Sequence, residues 1–192
     1  MNPLLSSFPT ALSVGGAVYP IDADFRTCLR ILLAFEDDAL LPFEKQAVML
    51  RLLYKERPPD DMPEACRKAV LFLDCGEMPS ESEGGASGQR FYSFAKDAKY
   101  IYSAIRQTHG IDLETVDFLH WWKFCYMFLD LREDTAFQGI LTLRRRKADG
   151  RLTKEERDLW YRFEDVLALP QTADPERAAA EAAFNRAMGL TV

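Results

Sequence analysis

The side chains of this 192-residue sequence that could carry chemistry are two histidines, four cysteines, a few acidic pairs and one basic run. His120 stands between Leu119 and Trp121. It is either a general base or ligand, or a histidine hydrogen-bonded within a core; a hydrolase built on it needs a carboxylate beside it in a polar pocket. His109 precedes Gly110, where an imidazole caps a helix end and interacts favourably with its dipole. Cys28, Cys66, Cys75 and Cys125 form no C-x-x-C pair and fall in apolar, helix-like segments, so they read as buried reduced thiols and not as a zinc site. The acidic pairs Asp22/Asp24, Asp37-Asp38 and Asp60-Asp61 lie at expected helix ends, and nothing in their spacing forces two carboxylates together. Gly84-Gly85 and Gly88 lack the Lys-Thr that would follow a phosphate loop. No catalytic, cofactor-binding or metal-ligating residue is therefore expected.

The basic run Arg144-Arg145-Arg146-Lys147 spreads around a helix instead of lining one stripe. It is either a contact for phosphate or an acidic partner, or a solvated helix end complementing the dipole. The whole chain carries a net charge of −6, which disfavours nucleic acid and acidic membranes as general partners. No run reaches the ~18 apolar residues of a membrane helix, and the first residues lack a secretory leader pattern.

The elements that must position these groups are mainly helical, and the spacing predicts a multi-helix bundle with a small N-terminal β-hairpin. Gly15-Gly16 between two short apolar runs supplies the positive φ angles of a tight turn. Asp24 is the expected N-cap of a helix bearing Phe25, Cys28/Leu29, Leu32 and Leu33. Pro42 opens a second helix with Phe43, Ala47, Leu50 and Leu53/Tyr54 as its stripe, and Pro58-Pro59 stops it. A third, over 62–75, carries Ala65, Ala69, Phe72 and Leu73 and stops at Gly76. Helices are further predicted over 91–108, 116–131 and 135–146. Another opens at the capping box Thr153-x-x-Glu156, with Leu159, Trp160, Phe163 and Val166/Leu167 as its stripe.

The expected organisation is a hairpin with three helices over 1–78, a flexible linker over 79–90, a helical block over 91–170 and a peripheral alanine-rich helix over 171–192. From Phe118 to Leu131, 11 of 14 residues are apolar and surround the helical wheel. Such a helix is covered by protein on most sides or is a docking surface for a partner. Trp121, Trp122, Phe124, Tyr126 and Phe128 are the candidate partner-binding residues, although for the adjacent Trp121 and Trp122 internal core is the favoured reading over an external interface.

The stretch G-I-D-L (Gly110 to Leu113), the core L-H-W-W-K-F (Leu119 to Phe124) and the following E-D-T-A-F (133–137) resemble the gene-product-fifteen family of tailed-phage and prophage proteins. The likeness extends through D-F-R (24–26), L-L-Y (52–54), Phe72-Leu73 and Leu169-Pro170, over about residues 12–170. F-Y-S-F-A-K-D at 91–97 departs from an acidic element expected there. The resemblance implies a non-enzymatic tail assembly protein of long-tailed phages of Gram-positive bacteria, acting in the host cytoplasm. It points to a chaperone that binds the tape-measure protein, together with other tail proteins or further copies of itself. The alternative is a structural tail or connector component incorporated in the virion.

Overall fold

The computed structural model describes residues 2–76 and 91–169. In chain order the described elements are β1 (Ala11–Val14), β2 (Ala17–Pro20), α1 (Phe25–Glu36), α2 (Pro42–Leu53), α3 (Met62–Leu73), α4 (Ala98–His109), α5 (Trp121–Leu129), α6 (Ala136–Ala148), α7 (Lys154–Arg162) and α8 (Glu164–Leu167). The fold is mainly helical with one small antiparallel hairpin, as expected. The described residues fall into two compact units: 2–76 with 118–125, and 91–117 with 126–169. Phe118–Cys125 thus belongs to the first unit although its sequence neighbours on both sides belong to the second. The expected linker over 79–90 and helix over 171–192 lie outside the described residues.

In the first unit, Val14 pairs with Ala17, so Gly15 and Gly16 alone make the turn, with φ of 57° and 79°. Both central residues of such a turn need positive φ, which glycine adopts without a Cβ clash. The hairpin packs on α3 and buries Val14. Its end is tied to the end of α2 by Asp22 N–H to the Leu53 carbonyl (2.7 Å). Asp24 caps α1 by accepting the Arg26 N–H at 2.9 Å. The faces of two helices differ from expectation. On α1, Phe25, Cys28 and Ile31 are buried and Leu33 is exposed. On α2, Gln46, Met49, Leu50 and Leu53 face inward, whereas Phe43 and Ala47 face outward. Helix α2 is apolar on two sides, so periodicity alone did not select the buried one.

In the second unit the helix expected over 91–108 starts at Ala98. The turn before it is held by Asp97, whose carboxylate accepts the Ser93 N–H at 3.0 Å. Asp97 is fully buried and meets Arg144 of α6 through two bonds of 2.6 and 2.9 Å. The same guanidinium donates to the Phe91 carbonyl (3.0 Å), which fixes the start of this turn outside any helix. The helix expected over 116–131 likewise starts only at Trp121. Before it, 119–121 runs extended beside 23–25 in the first unit: Phe25 N–H donates to the Leu119 carbonyl (2.9 Å) and Trp121 N–H to the Ala23 carbonyl (2.7 Å). Thr135 caps α6, and the Thr153/Glu156 capping box opens α7. The stripe expected beyond it is broken at Phe163, which separates α7 from α8 and is exposed with Leu159. Trp160 and Leu167 are buried with Ile140.

Helices α1, α3, α5 and α8 have no basic residue in their last turns. A helix end leaves four carbonyls without intrahelical partners, and each of these ends receives a donor from elsewhere. Lys45 donates to the Phe35 carbonyl of α1 (2.9 Å). The indoles of Trp121 and Trp122 donate to the Leu73 and Phe72 carbonyls of α3 (both 2.8 Å). His109 donates to the Met127 carbonyl of α5 (2.8 Å). Arg144 donates to the Leu167 and Val166 carbonyls of α8 (2.7 and 3.3 Å). Each such bond contributes about 1 kcal/mol net, and more where the donor is charged.

Candidate functional site

The aromatic stretch through α5 is the densest concentration of large side chains, and its two ends have different surroundings. Trp121, Trp122 and Phe124, in the first unit, are 3%, 6% and 1% exposed. The Phe124 ring stacks between Phe25 (5.3 Å, 15°) and Trp121 (5.5 Å, 16°). Trp122 packs against Phe8 and Phe72 with centroids 5.8 and 5.9 Å apart. Both indole N–H groups are satisfied at the end of α3, so these rings are buried with their polar handles in use. Gly76, at φ 78°, completes the fit: a Cβ there would come within 3.0 Å of the Trp122 ring.

His120 lies in the same packing. Its Nδ1 accepts the Trp122 N–H (3.1 Å), so its Nε2 carries the hydrogen and donates to the Pro9 carbonyl (3.0 Å). Phe8, Phe72, Phe118 and Trp122 surround the ring. Burial holds its pKa below the ordinary value, which keeps it neutral. Both nitrogens are engaged and, among the described residues, no carboxylate is bonded to the ring, so His120 is packed among aromatic rings and not in the polar pocket beside a carboxylate that a hydrolase built on it needs.

The other end of the stretch belongs to the second unit. Phe128 meets Tyr92, Phe94 and Phe137 at 5.1, 5.5 and 5.4 Å. Tyr126 and Phe128 are half-buried, and the neighbouring Leu129 is 78% exposed. Sequence reasoning named Tyr126 and Phe128 but missed Tyr92, Phe94 and Phe137. The available signal was F-Y-S-F at 91–94, which a continuous helix would have scattered around its circumference.

The other candidate groups have local duties. Asp22 accepts the Thr27 hydroxyl at 2.9 Å. Asp61 caps α3, and Asp37 accepts the Ala39 N–H at 2.8 Å. The basic run is divided: Arg144 is buried against Asp97, Arg146 pairs with Glu156 (2.6 Å), and Lys147 lies 3.8 Å over the Trp160 ring. Neither reading of this run anticipated a buried ion pair, because the partner of Arg144 lies 47 residues away. All four cysteines are free. Cys28 and Cys66 are buried, Cys75 and Cys125 partly so. Burial raises the thiol pKa of Cys28 and Cys66. Interaction with the Cys75 sulfur and burial raise that of Cys125. Among the described residues no group of three His, Cys, Asp or Glu side chains could hold a metal ion, and no helix is long and apolar enough to cross a membrane.

No curated protein and no solved structure matches the chain. A family model described as Bacteriophage Gp15 protein matches residues 4–169, a range that takes in the hairpin, the buried indoles and the Asp97–Arg144 pair. The chain belongs to the bacteriophage Gp15 protein family.

Proposed function

We propose that this protein is a non-enzymatic tail assembly protein, a chaperone that binds the tape-measure protein in the bacterial host cytoplasm during virion morphogenesis. The observation that carries this reading is the division of the aromatic stretch. Trp121, Trp122 and Phe124 are buried in the first unit. Tyr126 and Phe128 remain partly accessible, beside Tyr92 and the exposed Leu129. A helix with a partly open aromatic edge suits an amphipathic helix of a partner, whose apolar anchors recur at three and four residues. Family membership supports a phage partner.

Co-expression of the protein with the tape-measure protein of the same phage tests the proposal. The expected outcome is soluble tape-measure protein that co-purifies with this chain. Leu129→Ser with Phe128→Ala should lose the complex while retaining a folded protein. Leu129→Ser alone should change stability by less than about 0.5 kcal/mol, since the side chain is exposed. Failure of the wild type to solubilise or bind the tape-measure protein overturns the reading. Stoichiometric amounts of this protein in mature virions replace it with the alternative, a structural tail or connector component.

A further inference from the structure

We propose that the outer edge of β1 is a dimerisation site, at which β1 of a second copy of this chain adds antiparallel and joins the two hairpins into one sheet.

Among the described residues the sheet has two strands, so each strand has an edge that no further strand covers. The register decides which peptide groups face that edge of β1. Val14 pairs with Ala17 across the turn, and Ile21 N–H donates to the Thr10 carbonyl (3.0 Å). Residues 10, 12 and 14 therefore bond toward β2, and the N–H and C=O groups of 9, 11, 13 and 15 point away from it. The two ends of this row are engaged. His120 Nε2 donates to the Pro9 carbonyl (3.0 Å), and Gly15 N–H donates to the Glu64 carboxylate (2.8 Å). Between them, the outward groups of Ala11 and Ser13 bond to nothing among the described residues, and Ser13 is exposed. The edge of β2 is closed in another way. Pro20 has no N–H, its carbonyl accepts the Lys55 N–H (3.2 Å), and Tyr54 pairs antiparallel with Ile21.

The open row of β1 is complementary to itself. A donor and an acceptor at each of two positions, two residues apart, match the same row read in the opposite direction. With a twofold axis at Leu12, Ala11 faces Ser13 of the second copy, and each such pair exchanges both of its N–H···O bonds. A shift by two residues would set Ala11 against Gly15 or Ser13 against Pro9, whose groups are already engaged. Charge selects the same occupant. Residues 1–21 carry no charged side chain, although the whole chain carries −6. Two copies meeting at β1 thus bring no like charges together. Charged side chains, proline and bulges are what commonly keep strand edges apart, and Ala11–Val14 has none of them.

Sedimentation of the full-length protein over rising concentration, with hydrogen exchange measured at each step, tests the site. The weight-average mass should rise from that of the monomer toward twice that value, and the amides of Ala11 and Ser13 should exchange more slowly as it does. Ser13→Pro deletes an outward N–H while sparing the bonds between β1 and β2. It removes half of the bonds between the copies and should weaken association about 30-fold. Val18→Lys, on the other strand, should dimerise as the wild type does. A protein that stays monomeric, a dimer in which the Ala11 and Ser13 amides still exchange freely, or a Ser13→Pro variant that associates as tightly as the wild type each overturns the proposal. Exchange in the wild type decides the matter even if the variant fails to fold.

Discussion

The end of α3 in the first unit and the end of α8 in the second satisfy the same requirement with opposite chemistry. At α3, the orphan carbonyls are met by the indoles of Trp121 and Trp122, whose rings are also core. At α8, they are met by Arg144, whose charge is held inside the protein by Asp97. An indole brings a donor and a large apolar surface together, so its burial is favourable in itself. A guanidinium brings more donors in a fixed fork but must be desolvated, and the attraction of its partner roughly offsets that cost. A buried donor thus serves packing at one helix end and geometry at the other, with different sensitivity to substitution.

The largest effect separating these modes is expected in the first unit. Trp122→Ala removes a buried ring and its bond to the Phe72 carbonyl and should cost about 4 kcal/mol. Trp122→Phe should recover most of this, and urea denaturation measures both. If Phe recovers nothing, the donor matters more than the ring, and the indole at the end of α3 serves geometry as Arg144 does at α8. Arg144→Ala should cost about 3 kcal/mol, because it strands the Asp97 carboxylate inside the second unit. Arg144→Lys should not rescue it, since an ammonium lacks the planar fork that reaches both Asp97 oxygens. Replacing both partners, Asp97→Leu with Arg144→Leu, should be milder than either single change, and thermal denaturation distinguishes the cases. Asp24→Ala removes the cap of α1 and should cost about 1 kcal/mol by the same assay.

A smaller effect is expected from pH, through the buried imidazole of the first unit. Burial lowers the pKa of His120 below its ordinary 6.5. As pH falls below about 6.5, the unfolded chain takes up a proton that the folded protein resists. The contribution of His120 is therefore present above that pH and is lost as pH falls toward the folded value. Urea midpoints measured across this range should decline toward acid, and His120→Gln should flatten the decline.

Features written in neighbouring residues were legible in the sequence. The Gly15-Gly16 turn, the Asp24 cap, the Thr153/Glu156 box and the stop at Gly110 each depend on a few adjacent positions, and each is present. Features that depend on distant partners were not legible. The turn at 91–97 looks helical until Arg144 claims the Phe91 carbonyl and the Asp97 carboxylate. Residues 116–120 look helical until the backbone of 119–121 pairs with 23–25. The candidate site shows the same limit. Its residues on α5 are visible as an aromatic run, whereas Tyr92, Phe94 and Phe137 join them only through folding.

The pairing of Asp24 with the segment around His120 has a consequence for synthesis. The Leu119 N–H that reaches the Asp24 carboxylate is encoded 95 positions later. A nascent chain therefore emerges from the ribosome with Phe8, Phe25 and Phe72 made but the rings that cover them still untranslated. Because chains fold as they are made and uncovered apolar surface invites aggregation, the earliest-made part of this protein is its most vulnerable until translation passes residue 125.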